Sequence, residues 1–233
     1  MSQDKTITLP LLHTELRACR RCLEEGYWIT PGPVISSGPE PQVMLIGQAP
    51  GITEGQVKRP FNASSGKRLF QWLGEAGWDE EAFRARHYMT AITKCYPGPS
   101  SSGKGDRVPT PFEQALCRPW LEQEIRLVNP RLMLLIGGLA IKLLFPPNIR
   151  LHEIVGKAIY FPPETPAADP LNFDLTAAEI LPAFDATKDP NGRWAVPLPH
   201  PSGVSLWYNR PENQKLVRKT IAILNDIRAA YEL

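Results

Sequence analysis

The stretch Gln42-Val-Met-Leu-Ile-Gly47, followed at once by Gln48-Ala49-Pro50-Gly51, decides the plan of this chain. A short apolar run ending in glycine predicts a strand buried on both faces. Further along, Leu69, Phe70, Leu73 and Ala76 within Gly66–Gly77 have the spacing of an amphipathic helix. Tyr88–Thr93, Arg131–Ile136 and Trp194–Leu198 predict three more strands. A long helix is expected over Thr110–Val128, where Thr-Pro suits an N-cap and first turn. A short helix is expected over Leu139–Phe145, and a closing one over Pro211–Tyr231. Strands alternating with helices predict an α/β single domain. Its core is a central parallel four-stranded sheet with helices on both faces, an α/β/α sandwich. In such sheets ligands bind beyond the carboxyl ends of the strands. Gly47–Gly51, Lys94–Pro97, Gly137-Gly138 and His200–Ser202 are thereby expected on one rim.

The 25 prolines of this 233-residue chain crowd into a few stretches, which marks those stretches as loops. Tyr96–Pro109 predicts a long, mildly basic loop. Pro162–Asn191 predicts a surface insertion at about 162–191, with one short helix near Leu175–Leu181. The domain is otherwise expected to run from 1 to 233, as a monomer. A formal net charge of +2 does not by itself call for nucleic acid, so a DNA-binding face would have to come from local clustering of Lys and Arg. No apolar run reaches membrane-spanning length. The first residues lack the basic start and apolar core of a signal peptide, so a cytoplasmic location is expected.

The four cysteines call for one explanation. Cys19 and Cys22 form a C-x2-C pair, Cys95 ends the second strand, and Cys117 lies in the long helix. Structural disulfides do not suit a cytoplasmic chain. Four thiolates hold either zinc or an iron–sulfur cluster, and spacing alone leaves both open.

Two short motifs flank the sheet: Gly47-Gln48-Ala49-Pro50-Gly51 after the first strand, and His200-Pro201-Ser202 after the last. Between them come Arg59-Pro60-Phe61, Thr90-Ala91-Ile92-Thr93-Lys94-Cys95 and Cys117-Arg-Pro-Trp120. In this order the chain resembles the uracil-DNA glycosylase superfamily, and within it the iron–sulfur class, family 4. The resemblance runs from Leu16 to His200 and beyond, interrupted by the 162–191 stretch. It implies a four-iron four-sulfur cluster on Cys19, Cys22, Cys95 and Cys117, with zinc the less favoured occupant.

The resemblance also implies a DNA repair reaction. A uracil flipped out of DNA loses its bond to C1′ by hydrolysis, leaving free base and an abasic site. Cleavage develops positive charge on the sugar and negative charge on the base, and rate comes from stabilising both. The implied catalytic set is His200, which donates to uracil O2, with the Gln48–Ala49 backbone facing the same atom. The implied base pocket is Gly47, Gly51, Phe61 as the stacking ring, Asn62, Ala91 and Ser202. For DNA, Lys104, Arg107 and Arg210 are candidate phosphate contacts, and Val204, Leu206 or Trp207 would fill the hole left by the flipped base.

Three positions depart from the family pattern. Glu usually stands at Gln48, with Asp or Asn at Ala49 in some relatives. Asn usually stands at Ala91, where it reads the uracil edge. Asn62, Thr90 and Thr93 are possible substitutes. The Tyr96–Pro109 loop contains no His, so covalent capture of the base is not expected. These departures keep two alternatives open: excision of another deaminated base such as hypoxanthine or xanthine, and damaged-DNA binding with little catalysis.

Overall fold

The computed structural model describes residues 7–103, 105–163, 178–203 and 206–233. Two helices open the chain, α1 (Leu9–Ala18) and α2 (Arg21–Glu24). They are followed by β1 (Val43–Gly47), α3 (Ile52–Val57), α4 (Ser64–Glu75), α5 (Glu80–Arg86) and β2 (Tyr88–Ala91). Next come α6 (Pro111–Val128), β3 (Leu132–Ile136), α7 (Gly138–Ile141), α8 (Leu151–Ile154) and β4 (Ala158–Phe161). β5 (Glu179–Leu181), β6 (Arg193–Leu198) and α9 (Pro211–Tyr231) complete the order.

The sheet runs β2-β1-β3-β6-β4-β5. The four expected strands are its parallel part. β4 and β5 extend it as an antiparallel edge, so the sheet is mixed and six-stranded rather than four-stranded. The signal for β4 was the apolar run Ala158-Ile-Tyr-Phe161 ahead of two prolines. β5 is three mostly exposed residues with no apolar pattern. It also corrects the short helix expected near Leu175–Leu181: Glu179–Leu181 is a strand, and 164–177 lie outside the described residues. Within the stretch expected as an insertion, Glu179–Leu181 thus pair with β4, and Phe184 packs on Trp194. The 139–145 helix is likewise shorter than expected, a single turn over Gly138–Ile141 that then loosens into turns.

Alternation along the strands sorts their side chains onto two faces. Val43 and Leu45 face α4, α5 and α9, together with Leu132, Leu134, Trp194 and Val196. Met44 and Ile46 face α6 and α7, together with Met133 and Leu135. The strands are buried on both faces, as a helix-covered parallel sheet requires. Pro197 sits inside β6 at no cost to the ladder. The Leu198 carbonyl accepts from Gly137, just after β3, so Pro197 faces the other way, where the pairing with β4 has already ended. Helix α6 opens on a reciprocal cap: Thr110 Oγ1 accepts the Glu113 N–H, and the Glu113 carboxylate accepts the Thr110 N–H. On its outer side Cys117 and Trp120 pack against Leu12 and Leu16 of α1. That contact brings the N-terminal C-x2-C pair to the helix carrying Cys117.

Candidate active site and cysteine cavity

Parallel β1, β2, β3 and β6 send Gly47, Ala91, Ile136 and Leu198 to the same sheet edge. The ladder between β1 and β2 persists into the loops, where Ile92 N–H donates to Gly47 O (2.9 Å) and Thr93 N–H to Gln48 O (3.3 Å). The Gly47–Gly51 turn is thus pinned against the segment after β2.

Phe61 lies against this turn. A Cβ on Gly47 would stand 3.1 Å from Phe61 Cζ, so only glycine lets the ring approach. Phe61 has φ 50°, the left-handed region that aromatic residues avoid. Such strain persists only where neighbours over-determine it. Arg84 donates to Phe61 O (3.0 Å) and Pro60 O (2.7 Å). Gly66 packs so closely on Phe61 O that no side chain fits there. The Glu54 carboxylate accepts both the Asn62 N–H (3.3 Å) and the Gly51 N–H (2.5 Å). Burial pushes the Glu54 carboxyl above its usual range, against the pull of these backbone donors. Glu54 and Arg84, which no sequence motif marked, fix the turn and the ring relative to each other.

His200 faces the turn after β3. A Cβ on Gly137, whose φ is 88°, would lie 3.2–3.3 Å from the His200 side chain. The Ser202 N–H donates to His200 Nδ1 (3.2 Å). Nδ1 therefore carries the lone pair, which leaves the proton on Nε2. Burial holds the His200 pKa below its ordinary value. Its state near neutral pH is a neutral imidazole with one outward donor. Ser202 acts through its backbone, and its carbonyl accepts from Arg68 (3.3 Å).

Among the suggested readers of the base edge, Ala91 is buried at the end of β2 and has no polar group. Thr90 points to the opposite face, where its hydroxyl bonds Glu124 and Lys94, so it is not a reader. Thr93 Oγ1 is buried with no hydrogen-bond partner among the described residues, and Thr93 lines the cysteine cavity. The Asn62 side chain is exposed beside Phe61. Gln48 and Ala49 lie in the turn as expected, without a carboxylate.

The candidate DNA contacts divide. Leu206 is 77% exposed on the segment after His200, and Arg210 is exposed at the start of α9. Arg107 is already engaged: it grips Glu113 with two bonds (2.6 and 2.7 Å) and donates to Trp28 O. Lys104 and Val204 lie outside the described residues.

All four cysteines line one cavity, together with Leu16, Ile29, Thr93, Lys94, Pro97 and Trp120. Among the described residues, no three His, Cys, Asp or Glu come close enough to hold a single metal ion. Zinc, which draws its ligands in to about 2.3 Å, gains no support from this arrangement. Four thiols spaced around an apolar hollow suit a larger group whose own atoms fill the middle. Burial pushes the Cys22 thiol up to about 11 and the Cys117 thiol up to about 12.

The profile of the uracil DNA glycosylase superfamily matches residues 35–225. The chain belongs to that superfamily. It is 27% identical over 139 residues to the Type-4 uracil-DNA glycosylase of Sulfurisphaera tokodaii, covering 59% of this chain and 58% of that protein. It is 29% identical over 150 residues to the Type-4 enzyme of Pyrobaculum aerophilum, covering 64% and 70%. A Type-5 uracil-DNA glycosylase of Mycobacterium bovis is 32% identical over 134 residues, covering 52% and 47%. The matches thus span between about half and two thirds of these relatives' lengths. No helix among the described residues is long and apolar enough to cross a membrane.

Proposed function

We propose that this member of the superfamily is a monofunctional DNA glycosylase that hydrolyses the bond between uracil and deoxyribose and leaves an abasic site. The observation that carries the reading is the strained Phe61 ring held against the Gly47–Ala49 turn, on the rim where His200 presents a single donor. In this reading the flipped base stacks on Phe61, and its O2 meets the turn's backbone N–H groups and His200 Nε2–H. As the bond to C1′ breaks, negative charge gathers on the base. A fixed neutral donor in a water-poor site stabilises that charge without reorganising. The buried imidazole gives up no proton in the step, and the Ser202 N–H keeps it in the useful tautomer. The two-carbonyl edge of uracil suits a site with donors at one end. Relatives named as Type-4 and Type-5 uracil-DNA glycosylases support the same substrate.

DNA would approach across Arg210 and the Lys104 loop, and Leu206 would occupy the hole left by the extruded base. Arg107 contributes by holding that loop on α6. Cys19, Cys22, Cys95 and Cys117 would hold a four-iron four-sulfur cluster. When bound, the cluster supplies a cross-link between α1, the segment after β2 and α6, and hydrolysis itself transfers no electrons. Ala91 favours a second reading on the same scaffold, in which the base edge is read loosely and hypoxanthine or xanthine is also cut.

The test is single-turnover cleavage of oligonucleotides bearing uracil, hypoxanthine or xanthine, beside a gel-shift titration on each. Alkali-labile sites at uracil are expected. Tight binding with no cleavage of any strand would instead make the protein a damaged-DNA binder.

A further inference from the structure

The mechanism leaves one buried polar cluster unused. Lys94 and Glu124 are 1% and 0% exposed, with Lys94 Nζ 2.6 Å from Glu124 Oε2. Lys94 Nζ also donates to Thr90 Oγ1 (2.8 Å) and to Ala91 O (2.6 Å). Glu124 accepts from Thr90 Oγ1 and lies in hydrogen-bond contact with Tyr88, whose hydroxyl meets His13 Nε2 at 2.8 Å. Taking two charges out of water is expensive, and apolar residues of the same shape often serve stability equally well. A pair kept at this depth calls for a positional reason.

Its position supplies one. Ala91 ends β2 at the base pocket, and Cys95 lines the cysteine cavity. The residues between them hold the Gly47–Gln48 turn through the Ile92 and Thr93 N–H groups. Lys94 folds back over this short segment and caps the Ala91 carbonyl, while its own backbone N–H bonds Cys117. One residue thus fixes the pocket wall and the adjoining edge of the cavity.

We propose that Lys94, neutralised by Glu124, is a positioning residue for base excision: it holds Ala91–Thr93 in register with the Gly47–Ala49 turn. The inference rests on the reading of the rim as the base pocket.

The test uses the whole protein carrying Lys94→Met and Glu124→Leu together, which removes both charges and leaves none stranded. Expected results are wild-type iron content and affinity for abasic-site DNA, but single-turnover uracil release at least tenfold slower. Hydrogen exchange at the Ile92 and Thr93 amides is expected to quicken by a similar factor, with core strand β3 unchanged. That second readout does not depend on catalysis. A rate and exchange within twofold of wild type would overturn the inference, as would loss of iron with exchange at Ile92 and Thr93 unchanged. If the double variant does not fold, Thr90→Val serves, since it removes one partner of Lys94 and leaves the ion pair. A severalfold slower release then supports the inference, and an unchanged rate overturns it. Absence of uracil release by the wild-type protein in the same assay would defeat the functional reading itself, and the exchange result would still judge the positioning of the turn.

Discussion

Replacing His200 by alanine separates the chemistry from the fold more cleanly than any other change. Among the described residues the imidazole makes one hydrogen bond, from the Ser202 N–H to Nδ1 at 3.2 Å, and packs against Gly137. Losing that bond costs about 0.5–1.5 kcal/mol of stability. For a domain of this size each kcal/mol lowers Tm by about 2–4 °C, so the variant stays folded at assay temperature. The catalytic loss is larger, because Nε2–H is the side-chain donor aimed at the departing base. Removing one such donor typically slows a reaction by about 10² to 10³, which is about 2.7–4 kcal/mol of transition-state stabilisation. Single-turnover release of uracil should fall by that factor, while affinity for abasic-site DNA changes less than threefold. His200→Gln, which keeps an N–H donor on a side chain of similar reach, should recover part of the loss. A wild-type rate in His200→Ala would remove the residue from the mechanism. An equal loss of rate and binding would make it a DNA contact instead.

Other outcomes follow from the same geometry. Because burial depresses the His200 pKa, the imidazole is neutral in both folded and unfolded chains above pH 6.5. Uracil release should be flat from about pH 6.5 to 8, and His200's part in stability should weaken only as pH falls below 6.5 towards the lowered value. A tenfold fall in rate per pH unit across that window would mean that the charged form is active. Ala91→Asn offers the base edge an amide, so uracil excision should rise relative to hypoxanthine and xanthine. If wild type already cuts uracil alone and the substitution only slows it, Asn62 becomes the first candidate reader. Anaerobically purified protein should be brown with about four irons per chain, and Cys117→Ala should lower both iron content and Tm, because metal binding adds to folding free energy. Stoichiometric zinc without visible absorbance would contradict the cluster.

The sequence carried the parallel core because each of its strands is an apolar run between turn signals, and burial on both faces demands that pattern. Those strands in turn brought the Gly47 turn, Ala91, Gly137 and His200 to one rim. β5 was illegible because an edge strand of three mostly exposed residues has no hydrophobic period to read. The site showed the same division. Phe61 and His200 stood in motifs, whereas Glu54, Arg84, Lys94 and Glu124 act through hydrogen bonds across sequence separations that no local pattern records. Thr90, one of three candidate readers of the base edge, turns to the face opposite the pocket by strand alternation, and Glu124 takes its hydroxyl there.

The most direct measurement is a crystal structure of the His200→Ala variant bound to DNA carrying one uracil. The expected result is an extrudeduracil stacked on Phe61, with O2 facing the Gln48–Ala49 backbone and the gap left by the imidazole. Uracil left in the duplex, or bound away from the Gly47–Gly51 turn, would contradict the assignment of this rim as the site of base excision.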